Sequence, residues 1–392
     1  METVISHPLF VPLLLALCII AFAPLAVAGT VLLERKVLAD IQVRLGPMRV
    51  GPHGVLQTVA DAVKMLLKED IIPDDSNKGM FKFAPVISFF TAAICLTVVP
   101  FSERLRVADT NVGLLVVSAM SAVGILGIIL GGWSSNSHYS LLGSLRSAAQ
   151  LVSYEVAIGL ALICGVMAAG SLSMVEIVRQ QQARGIWFVF DNFGLMILPF
   201  VIYFISSVAE TNRAPFDLPE AESELVAGYH TEYSGFRWGI YMLAEYLNMF
   251  VVGSVAITLF LGGWLRPFPN VAWLEIPMNY GVPVLFFGLS GLWCLPASRK
   301  LPSAIHKAGL AFIGLCLILV AAVFAIPVAN AALSAPFWFF FKLATFLYVL
   351  IWMRGTFPRY RYDQLMDIGW KRMIPLGLAA ILLNALVGIL RA

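Results

Sequence analysis

Carboxylates are concentrated in one polar segment of a chain that is otherwise apolar. The segment reads AETNRAPFDLPEAESELVAGYHTEYSG and occupies residues 209–235. It holds six of the 23 acidic residues, with one nearby cation, Arg213. The six are Glu210, Asp217, Glu220, Glu222, Glu224 and Glu232. Neighbouring carboxylates repel one another, so they either lie in water or bind protons with raised pKa values. Next to a membrane, the second alternative is the chemistry of proton transfer.

Three further ionisable residues, Glu155, Glu245 and Lys342, lie inside apolar runs. An ionised side chain that faces lipid without a partner costs roughly 2.5–3.5 kcal/mol on the insertion scale, so each one needs a role. A proton path predicts the order acidic segment, buried acids, buried base, because each group must change charge when its neighbour does. Internal ion pairing, for example between Lys342 and one glutamate, is the structural alternative.

A second structural alternative concerns the acidic segment itself. Pro219 is able to start a short helix, with Glu220 and Glu222 in the first turn. Asp217 precedes that helix and has a side chain suited to an N-cap. For Asp217 and Glu220, capping and proton chemistry therefore both stay open.

The elements that must position these groups are membrane-spanning helices. The 392-residue chain is 60% hydrophobic and has a mean hydropathy of +0.86, which excludes an ordinary soluble domain. At roughly 20 apolar residues a span, the sequence predicts an all-α polytopic membrane protein, one integral membrane domain over 1–392. The eight clear spans lie near 8–33, 83–100, 111–131, 150–170, 194–209, 239–262, 308–330 and 374–390.

Two weaker runs bring the predicted total to ten. One, 281–297, contains two prolines and is also compatible with a re-entrant segment; the other, 337–353, contains Lys342. The first run, 8–33, is expected to be a retained span rather than a signal peptide, because it is long and lacks a basic start.

Lysine and arginine predict the orientation, because they accumulate in cytoplasmic loops. With the N-terminus outside, five loops face the cytoplasm and carry 19 of the 26 Lys and Arg residues. These loops are 34–82, 132–149, 210–238, 298–307 and 354–373. The acidic segment, taken as the loop 209–238, then lies at the cytoplasmic end of the buried acids. A net charge of +3 is ordinary for such a protein and gives no indication of nucleic-acid binding.

The first cytoplasmic loop is organised. Gly46-Pro47 and Gly51-Pro52 break the chain twice, and an amphipathic helix follows at about 54–68. Its apolar arc predicts a position along the membrane surface or against a partner. Within it, Asp61 and Lys64 are spaced for an i,i+3 ion pair.

The cysteines argue against a redox centre in this chain. All five stand singly in apolar runs, without a CxxC spacing, and no GxGxxG, Walker A or HExxH pattern is present. If the protein takes part in redox chemistry, the metal or flavin is therefore elsewhere.

Several motifs together resemble one family. The acidic segment is closely similar to the signature of one membrane subunit of respiratory complex I, the proton-pumping NADH:quinone oxidoreductase; this subunit is called H in bacteria and 1 in mitochondria. Other matching stretches are ERK at 34–36, RLGP at 44–47, GPHG at 51–54, ADAVK at 60–64, SYEV at 153–156 and RGTFPRYRYDQLMDIGWK at 354–371. They cover the first third, the centre and the last third of the chain.

The resemblance implies a subunit that joins the membrane arm to the hydrophilic arm and forms much of a chamber for ubiquinone or menaquinone. It implies quinone-chamber and coupling roles for Glu34, Arg35, Arg44, Asp61, Arg213, Asp217, Glu220, Glu222, Glu224, Glu232 and Arg354. It implies a proton path through Glu155, Glu210 and Glu245, with Lys342. The chain would bind no cofactor and hold no complete catalytic site, since flavin and iron–sulfur clusters belong to partner subunits. Quinone-site and iron–sulfur subunits of the hydrophilic arm and small membrane subunits would be its neighbours in the bacterial inner membrane.

One departure from the family pattern is a segment of extra residues, about 268–333, with two apolar runs. Two extra spans would preserve the downstream topology, because their number is even. Two other functions are weighed against that of a complex I subunit. One is the homologous subunit of a membrane-bound hydrogenase or ferredoxin:quinone complex, and the other is a stand-alone cation/proton transporter.

Overall fold

The computed structural model describes residues 10–217, 226–299 and 304–391, and every regular element within them is helical. In chain order the α-helices are α1 (Phe10–Ile41), α2 (Gln57–Leu67), α3 (Lys78–Val98), α4 (Gly113–Ser134), α5 (His138–Ala169), α6 (Met174–Arg184), α7 (Ile197–Glu210), α8 (Gly235–Phe260), α9 (Val282–Arg299), α10 (Ala304–Ala325), α11 (Pro327–Thr356), α12 (Tyr362–Asp367) and α13 (Ile374–Arg391). The short helix expected at Pro219, with Glu220, Glu222 and Glu224, lies outside the described residues.

A multi-pass membrane protein is confirmed. Within the described ranges, eight helices are long and apolar enough to cross a bilayer. Helices α1 and α7 occupy the other two predicted positions; α1 has 32 residues, but α7 has only 14. The run at 281–297 belongs to a continuous 28-residue helix, Ala272–Arg299. At 1.5 Å per residue this helix is roughly 42 Å long, which is long enough to cross a hydrocarbon core of about 30 Å.

The predicted start of the fourth span was wrong. Helix α5 begins at His138, so most of the predicted loop 132–149 is helical. Its added turns bury small and polar side chains, including Ser140, Ser144, Ser147 and Gln150. Hydropathy misses such turns because they pack against protein instead of lipid.

The predicted span 308–330 also has a different end. Helix α10 stops at Ala325, and α11 starts at Pro327. Proline favours the first position of a helix, where its missing N–H would have no partner in any case. Residues 327–333, assigned above to the extra segment, are therefore the start of α11, the helix that contains Lys342. That 268–333 is an insertion within the family stays a prediction.

Helix α8 is the centre of the bundle. Of its most apolar stretch, 72% is buried inside the protein, against 22% for α10. It packs against α3 on one side and α11 on another, and α3 in turn lies along α4. Gly127 of α4 permits that close approach, because a Cβ there would meet Ser88 Oγ at 2.2 Å.

Helices α9 and α10 form a hairpin at the periphery. They pack along each other and against α11, through an aromatic cluster of Phe287, Phe324, Phe337 and Phe341. Asn330 at the start of α11 donates hydrogen bonds to the carbonyls of Asn279, in the helical turn just before α9, at 2.8 Å and of Phe324, in α10, at 3.0 Å. The hairpin is therefore attached to the bundle by both aromatic packing and hydrogen bonds.

The loops predicted to share one side meet at one end of the bundle, here called the loop face. Tyr360 N donates to Pro215 O at 3.0 Å, and Ile71 N donates to Ser234 Oγ at 3.0 Å. The first loop also meets the end of α4, where Asn77 N donates to Ser134 O at 3.1 Å. The loop face thus holds the acidic segment, the first loop and the loop after α11 in mutual contact.

Candidate functional site

A buried carboxylate near the end of α1 is the centre of a charged cluster at the loop face. Glu34 is 3% exposed and accepts hydrogen bonds from Arg213 Nη1, at 3.1 and 3.3 Å to its two oxygens. Tyr246 of α8 donates its hydroxyl to the same carboxylate at 2.7 Å, and Arg354 of α11 forms an ion pair with it. We call these four residues, with Glu245, the Glu34 cluster. It joins the first, central and late parts of the chain.

Arg213 is shared between two carboxylates. Its Nη1 contacts Glu34, while its Nε lies 2.8 Å from Glu245 Oε1 on α8. The guanidinium also stacks over the Tyr246 ring, 4.4 Å from the centroid. The cluster combines two glutamates with two arginines, so its formal charges balance. Pairing of this kind is what makes buried charges tolerable.

The loop after α7 holds Arg213 inside the bundle. Thr211 and Asn212 are buried. Irregular backbone is tolerated in such an apolar environment only when its N–H and C=O groups have hydrogen-bond partners. Gln150 of α5 supplies them, donating to Ala209 O at 2.8 Å and Phe216 O at 2.9 Å. Gln150 closes the turn and fixes the position from which Arg213 extends.

Three acids of the predicted path line one cavity. Glu155, Glu210 and Glu245 face a space of about 60 Å³, which is room for a few water molecules. We call it the acid cavity. Its polar wall also includes Ser88, Thr91, Ser121, Asn212, Tyr241 and Asn248. Along α8 the lining runs from Tyr241 to Val252, a rise of roughly 16 Å. Ser121 Oγ donates a hydrogen bond to Glu210.

Glu245 therefore belongs to both arrangements. Its carboxylate pairs with Arg213 of the Glu34 cluster, and its side chain lines the acid cavity. The Glu34 cluster and the acid cavity thus share one side chain, with no layer of apolar residues between them.

The predicted pairing of Asp61 was incomplete. Asp61 on α2 forms an ion pair with Arg35 of α1, and Gln57 donates to it at 3.2 Å; Lys64 is at 4.0 Å. The carboxylate thus attaches the amphipathic helix to the first span, rather than serving only within its own helix. Arg44 lies apart, exposed, with its Nε 2.7 Å from Gln42 Oε1.

Asp217 continues the charged surface toward the last loop. Its Oδ2 accepts a hydrogen bond from Arg359 at 3.2 Å. Burial raises the pKa of Asp217, and Arg359 is the strongest of three arginines that oppose this shift. The capping alternative for Asp217 stays a prediction, because the helix it would cap falls outside the described part of the chain. Glu232 lines a separate depression of about 360 Å³, with Asp74, Asp75 and His138.

Lys342 is not beside the acids. Its Nζ donates to three backbone carbonyls just beyond α8, those of Leu261 and Gly263 at 2.7 Å and Leu265 at 2.8 Å. It also lies 4.6 Å from the centroid of the Trp187 ring. The structure therefore places Lys342 at the C-terminal end of α8, 16 or more positions along the chain from Glu245, where its ammonium binds the carbonyls of the turn that follows the helix. Among the described residues, Lys342 forms no ion pair with a glutamate, so the structural alternative weighed above receives no support from this part of the chain.

Three residues of this site were missed by the sequence reasoning: Gln150, Ser121 and Tyr246. Tyr246 follows Glu245 directly, and Gln150 is a polar residue at the edge of an apolar run. These signals are weak, since neither indicates a partner far away in the sequence.

Replacing His230 by phenylalanine is expected to reduce the loss of stability at acidic pH. His230 is buried beside Tyr229 and Trp238, and burial lowers its pKa from 6.5 to about 4. As pH falls from 6.5 toward 4, His230 binds a proton in the unfolded chain but not in the folded chain. The free energy of unfolding therefore decreases over that pH range. The cost is about 2 kcal/mol near pH 5.

Melting temperatures of the purified protein near pH 7.5 and pH 5 measure this effect. The exposed histidine variant His138→Phe is the matched control, and its loss between the two values should equal that of the wild type. An equal loss in His230→Phe would show that His230 does not contribute to acid sensitivity.

Comparison with known proteins agrees with the motifs. A family model described as NADH dehydrogenase matches residues 14–385. An H subunit of NADH-quinone oxidoreductase from Solibacter usitatus (strain Ellin6076), numbered 2 in that organism, is 63% identical over 390 residues, which cover 100% of this chain and 99% of that protein. The H subunit numbered 1 of Koribacter versatilis (strain Ellin345) is 50% identical over 386 residues, covering 95% and 90%. The H subunit of Rhodospirillum centenum (strain ATCC 51521 / SW) is 42% identical over 378 residues, covering 96% and 90%.

The family model spans nearly all of the chain, and these relatives are aligned over nine-tenths or more of their own length. The chain therefore belongs to the NADH dehydrogenase family that contains the H subunits of NADH-quinone oxidoreductase.

Proposed function

We propose that this chain is the membrane subunit of a proton-translocating NADH:quinone oxidoreductase in which quinone reduction is coupled to proton movement. The names of its relatives support the complex. The observation that supports the coupling role concerns Glu245. Its carboxylate pairs with Arg213 at the loop face, and its side chain also lines the acid cavity.

The Glu34 cluster converts a local charge change into a change in the cavity. Arg213 binds Glu34 and Glu245 at the same time. If one carboxylate gains a proton or faces a new neighbouring charge, the guanidinium interacts more strongly with the other. The titrations of the two acids are therefore coupled. Quinone reduction beside the cluster consumes protons and so supplies such a change.

Protons would then move among Glu210, Glu245 and Glu155. The three carboxyls share a cavity large enough for a few waters, and hydrogen-bonded water is able to bridge groups that do not touch. Ser121 holds Glu210 in place at the cavity wall. We leave Lys342 outside this path, because its Nζ binds the carbonyls of the turn after α8 and does not line the acid cavity.

The remaining parts of the proposal concern partners and location. The quinone chamber would form between the loop face and quinone-site and iron–sulfur subunits of the hydrophilic arm, with small membrane subunits alongside. Arg35, Asp61, Asp217 and Arg354 lie on this face in ion pairs that position its loops. Flavin and iron–sulfur clusters would be in the partners, and this chain would bind none. The bacterial inner membrane and an outer N-terminus complete the proposal.

Neutralising an acid of the cavity is expected to reduce proton translocation while the complex still assembles. Glu245→Gln and Glu155→Gln keep the size of the side chain but remove its ability to exchange a proton. We expect the proton-to-electron ratio to fall by about half or more in each, measured in inverted vesicles during NADH oxidation. Glu245→Gln should also slow quinone reduction, because Arg213 loses a charged partner.

The matched control is Glu176→Gln, at a partly exposed acid of α6 that contacts Arg179 and Gln180. It should pump and reduce quinone as the wild type does. Wild-type proton-to-electron ratios in both cavity variants would remove Glu155 and Glu245 from the path. Assembly is measured separately, as the amount of this subunit in the purified complex.

A further inference from the structure

Four buried hydroxyl groups lie between the acid cavity and the depression that Glu232 lines. They belong to Ser134, Ser135, Tyr233 and Tyr241, each of which is 5% exposed or less. We call these four groups the hydroxyl row. Ser135 lines the depression, and Tyr241 lines the acid cavity. The hydroxyl row therefore extends from the surface of the loop face to the interior of the bundle.

The end of α4 brings these hydroxyls together. Ser134 Oγ and Ser135 Oγ both donate to the carbonyl of Gly131, at 3.2 and 2.7 Å. A Cβ on Gly131 would lie 2.2 Å from Tyr241 Oη and 3.5 Å from Tyr233 Oη. Both phenols therefore reach the same turn of α4, and the glycine leaves the room that they need.

Tyr233 is the link between the serines and Tyr241. Its hydroxyl interacts with the side chains of Ser134 and Tyr241, and its ring stacks on Phe81 at 4.1 Å between centroids. The Tyr233 hydroxyl donates to the carbonyl of Phe81 at 3.1 Å. The Tyr241 hydroxyl donates to the carbonyl of Gly127, also at 3.1 Å. Since a hydroxyl oxygen has two lone pairs, both phenols are still able to accept a proton from a neighbouring hydroxyl.

The inner end of the hydroxyl row faces the carboxyls of the acid cavity. Tyr241 and Glu245 are four residues apart on α8 and so share one side of the helix, and both line the cavity. Ser88 lines it too, packed against the same Gly127 that binds Tyr241. Among the described residues, the buried Ser88 hydroxyl has no hydrogen-bond partner. A buried hydroxyl of this kind is normally satisfied by water, and water there would join Tyr241 to Glu245.

The outer end of the hydroxyl row opens on an acidic surface. Asp74, Asp75 and Glu232 line the depression together with Ser135, and Glu232 directly precedes Tyr233 in the sequence. A cleft lined by charges of one sign raises the local concentration of the opposite ion. For carboxylates in water that ion includes the proton, so the depression is suited to collect protons at the start of the row.

We propose that the hydroxyl row is a second proton entrance to the acid cavity, leading from the acidic depression and separate from the Glu34 cluster. Each oxygen accepts one proton from the outer side and releases its own to the next oxygen inward, so every hydroxyl ends neutral. The proton leaves a carboxyl group or water of the depression and ends on a carboxylate of the cavity. This rests on the proposed function. It gives the translocated protons a source distinct from the protons that quinone reduction consumes.

Phenylalanine at the two tyrosines tests the proposal in the whole complex. Tyr233→Phe and Tyr241→Phe keep the rings but interrupt the hydroxyl row. In inverted vesicles the proton-to-electron ratio should fall by about half or more. The rate of NADH oxidation per assembled complex, measured with an uncoupler, should stay at the wild-type value because the Glu34 cluster is unchanged.

The matched control is Tyr154→Phe, which also removes one buried hydroxyl. Tyr154 is fully buried and donates to the carbonyl of Leu365 at 2.9 Å, but it does not line the acid cavity. Its variant loses a comparable hydrogen bond and should translocate protons as the wild type does.

A second pair of variants separates proton transfer from packing. Gly131→Ala places a Cβ 2.2 Å from Tyr241 Oη, so less complex should assemble. Gly131→Ala/Tyr241→Phe removes that oxygen and should restore assembly. Its proton-to-electron ratio should nevertheless stay low, because the hydroxyl row is still interrupted. If the Tyr241 hydroxyl served packing alone, the double variant would recover both assembly and proton translocation.

Three results would overturn the proposal. The first is a wild-type proton-to-electron ratio in both tyrosine variants, the second is an equal loss in Tyr154→Phe, and the third is recovery of proton translocation in Gly131→Ala/Tyr241→Phe. Failure of the proposed function is distinguishable, because Glu155→Gln and Glu245→Gln would then translocate protons as the wild type does. If the second entrance alone is wrong, these two variants still show the reduced ratio.

Discussion

Replacing Arg213 by methionine is expected to lower NADH:quinone reduction per complex by about tenfold or more. The substitution leaves Glu245 without its guanidinium partner and Glu34, only 3% exposed, with Arg354 and Tyr246 alone. Removing one partner of a buried ion pair costs about 3–5 kcal/mol, because the other charge stays buried. Less assembled complex is therefore expected too, so turnover is measured per mole of the assembled complex in purified membranes.

Two comparisons separate charge from general disruption. Arg179→Met is the matched control: Arg179 pairs at 2.9 Å with Glu103 in an exposed position, where an ion pair contributes at most about 1 kcal/mol. In Arg213→Met/Glu245→Gln the uncompensated charge on Glu245 is gone, so assembly should recover in part. Equal turnover in Arg213→Met and Arg179→Met would contradict a central role for the shared guanidinium.

Lys342→Met is expected to lower the amount of assembled complex without changing the number of protons translocated per electron. Methionine fills a similar volume but leaves the carbonyls of Leu261, Gly263 and Leu265 without their common donor. Each buried group left unsatisfied costs about 1–3 kcal/mol. The complex that does assemble should translocate the same number of protons per electron, since Lys342 lies away from the acid cavity.

Lys82→Met is the matched lysine control, because Lys82 is exposed at the loop-face end of α3. It should assemble and pump normally. A reduced proton-to-electron ratio in Lys342→Met, measured beside wild-type assembly, would return Lys342 to the proton path and refute its role as a helix-end donor.

Positions along helices were predictable from the sequence, whereas partners were not. Apolar runs indicated that Glu155, Glu210 and Glu245 lie inside the membrane domain near one face, and they do share a cavity. The same reasoning put Lys342 deeper than these acids, near mid-membrane, without showing which way its side chain points. Helix rotation and packing decide that direction, and hydropathy carries little information on either.

The ion pairs illustrate the same limit. Arg213 and Glu34 are 179 positions apart, and Arg354 and Glu34 are 320 apart. Only the resemblance to the family grouped these residues; residue types and spacing did not. Within one helix, Asp61 and Lys64 were predictable as a pair, but the partner that ties α2 to the bundle is Arg35, on another helix. The start of α5 was missed for a related reason, since its first turns are polar and face protein.

Helix α7 is too short to cross a bilayer. Its 14 residues extend roughly 21 Å, against a hydrocarbon core of about 30 Å. The helix leads directly into the buried turn at Thr211–Arg213, and Glu210, Thr211 and Asn212 line the acid cavity. Polar groups and water polarise far more than hydrocarbon, so the membrane voltage falls mainly across the apolar part that is left.

A unit charge crossing the whole membrane at 100 mV does work of about 2.3 kcal/mol. A proton that moved only along the polar wall of the acid cavity, as the proposed path requires, would cross a small part of that voltage and do little electrical work. In the proposed path, loading these carboxyls would therefore depend little on membrane potential, and the voltage would act mainly on the step in which the proton leaves them.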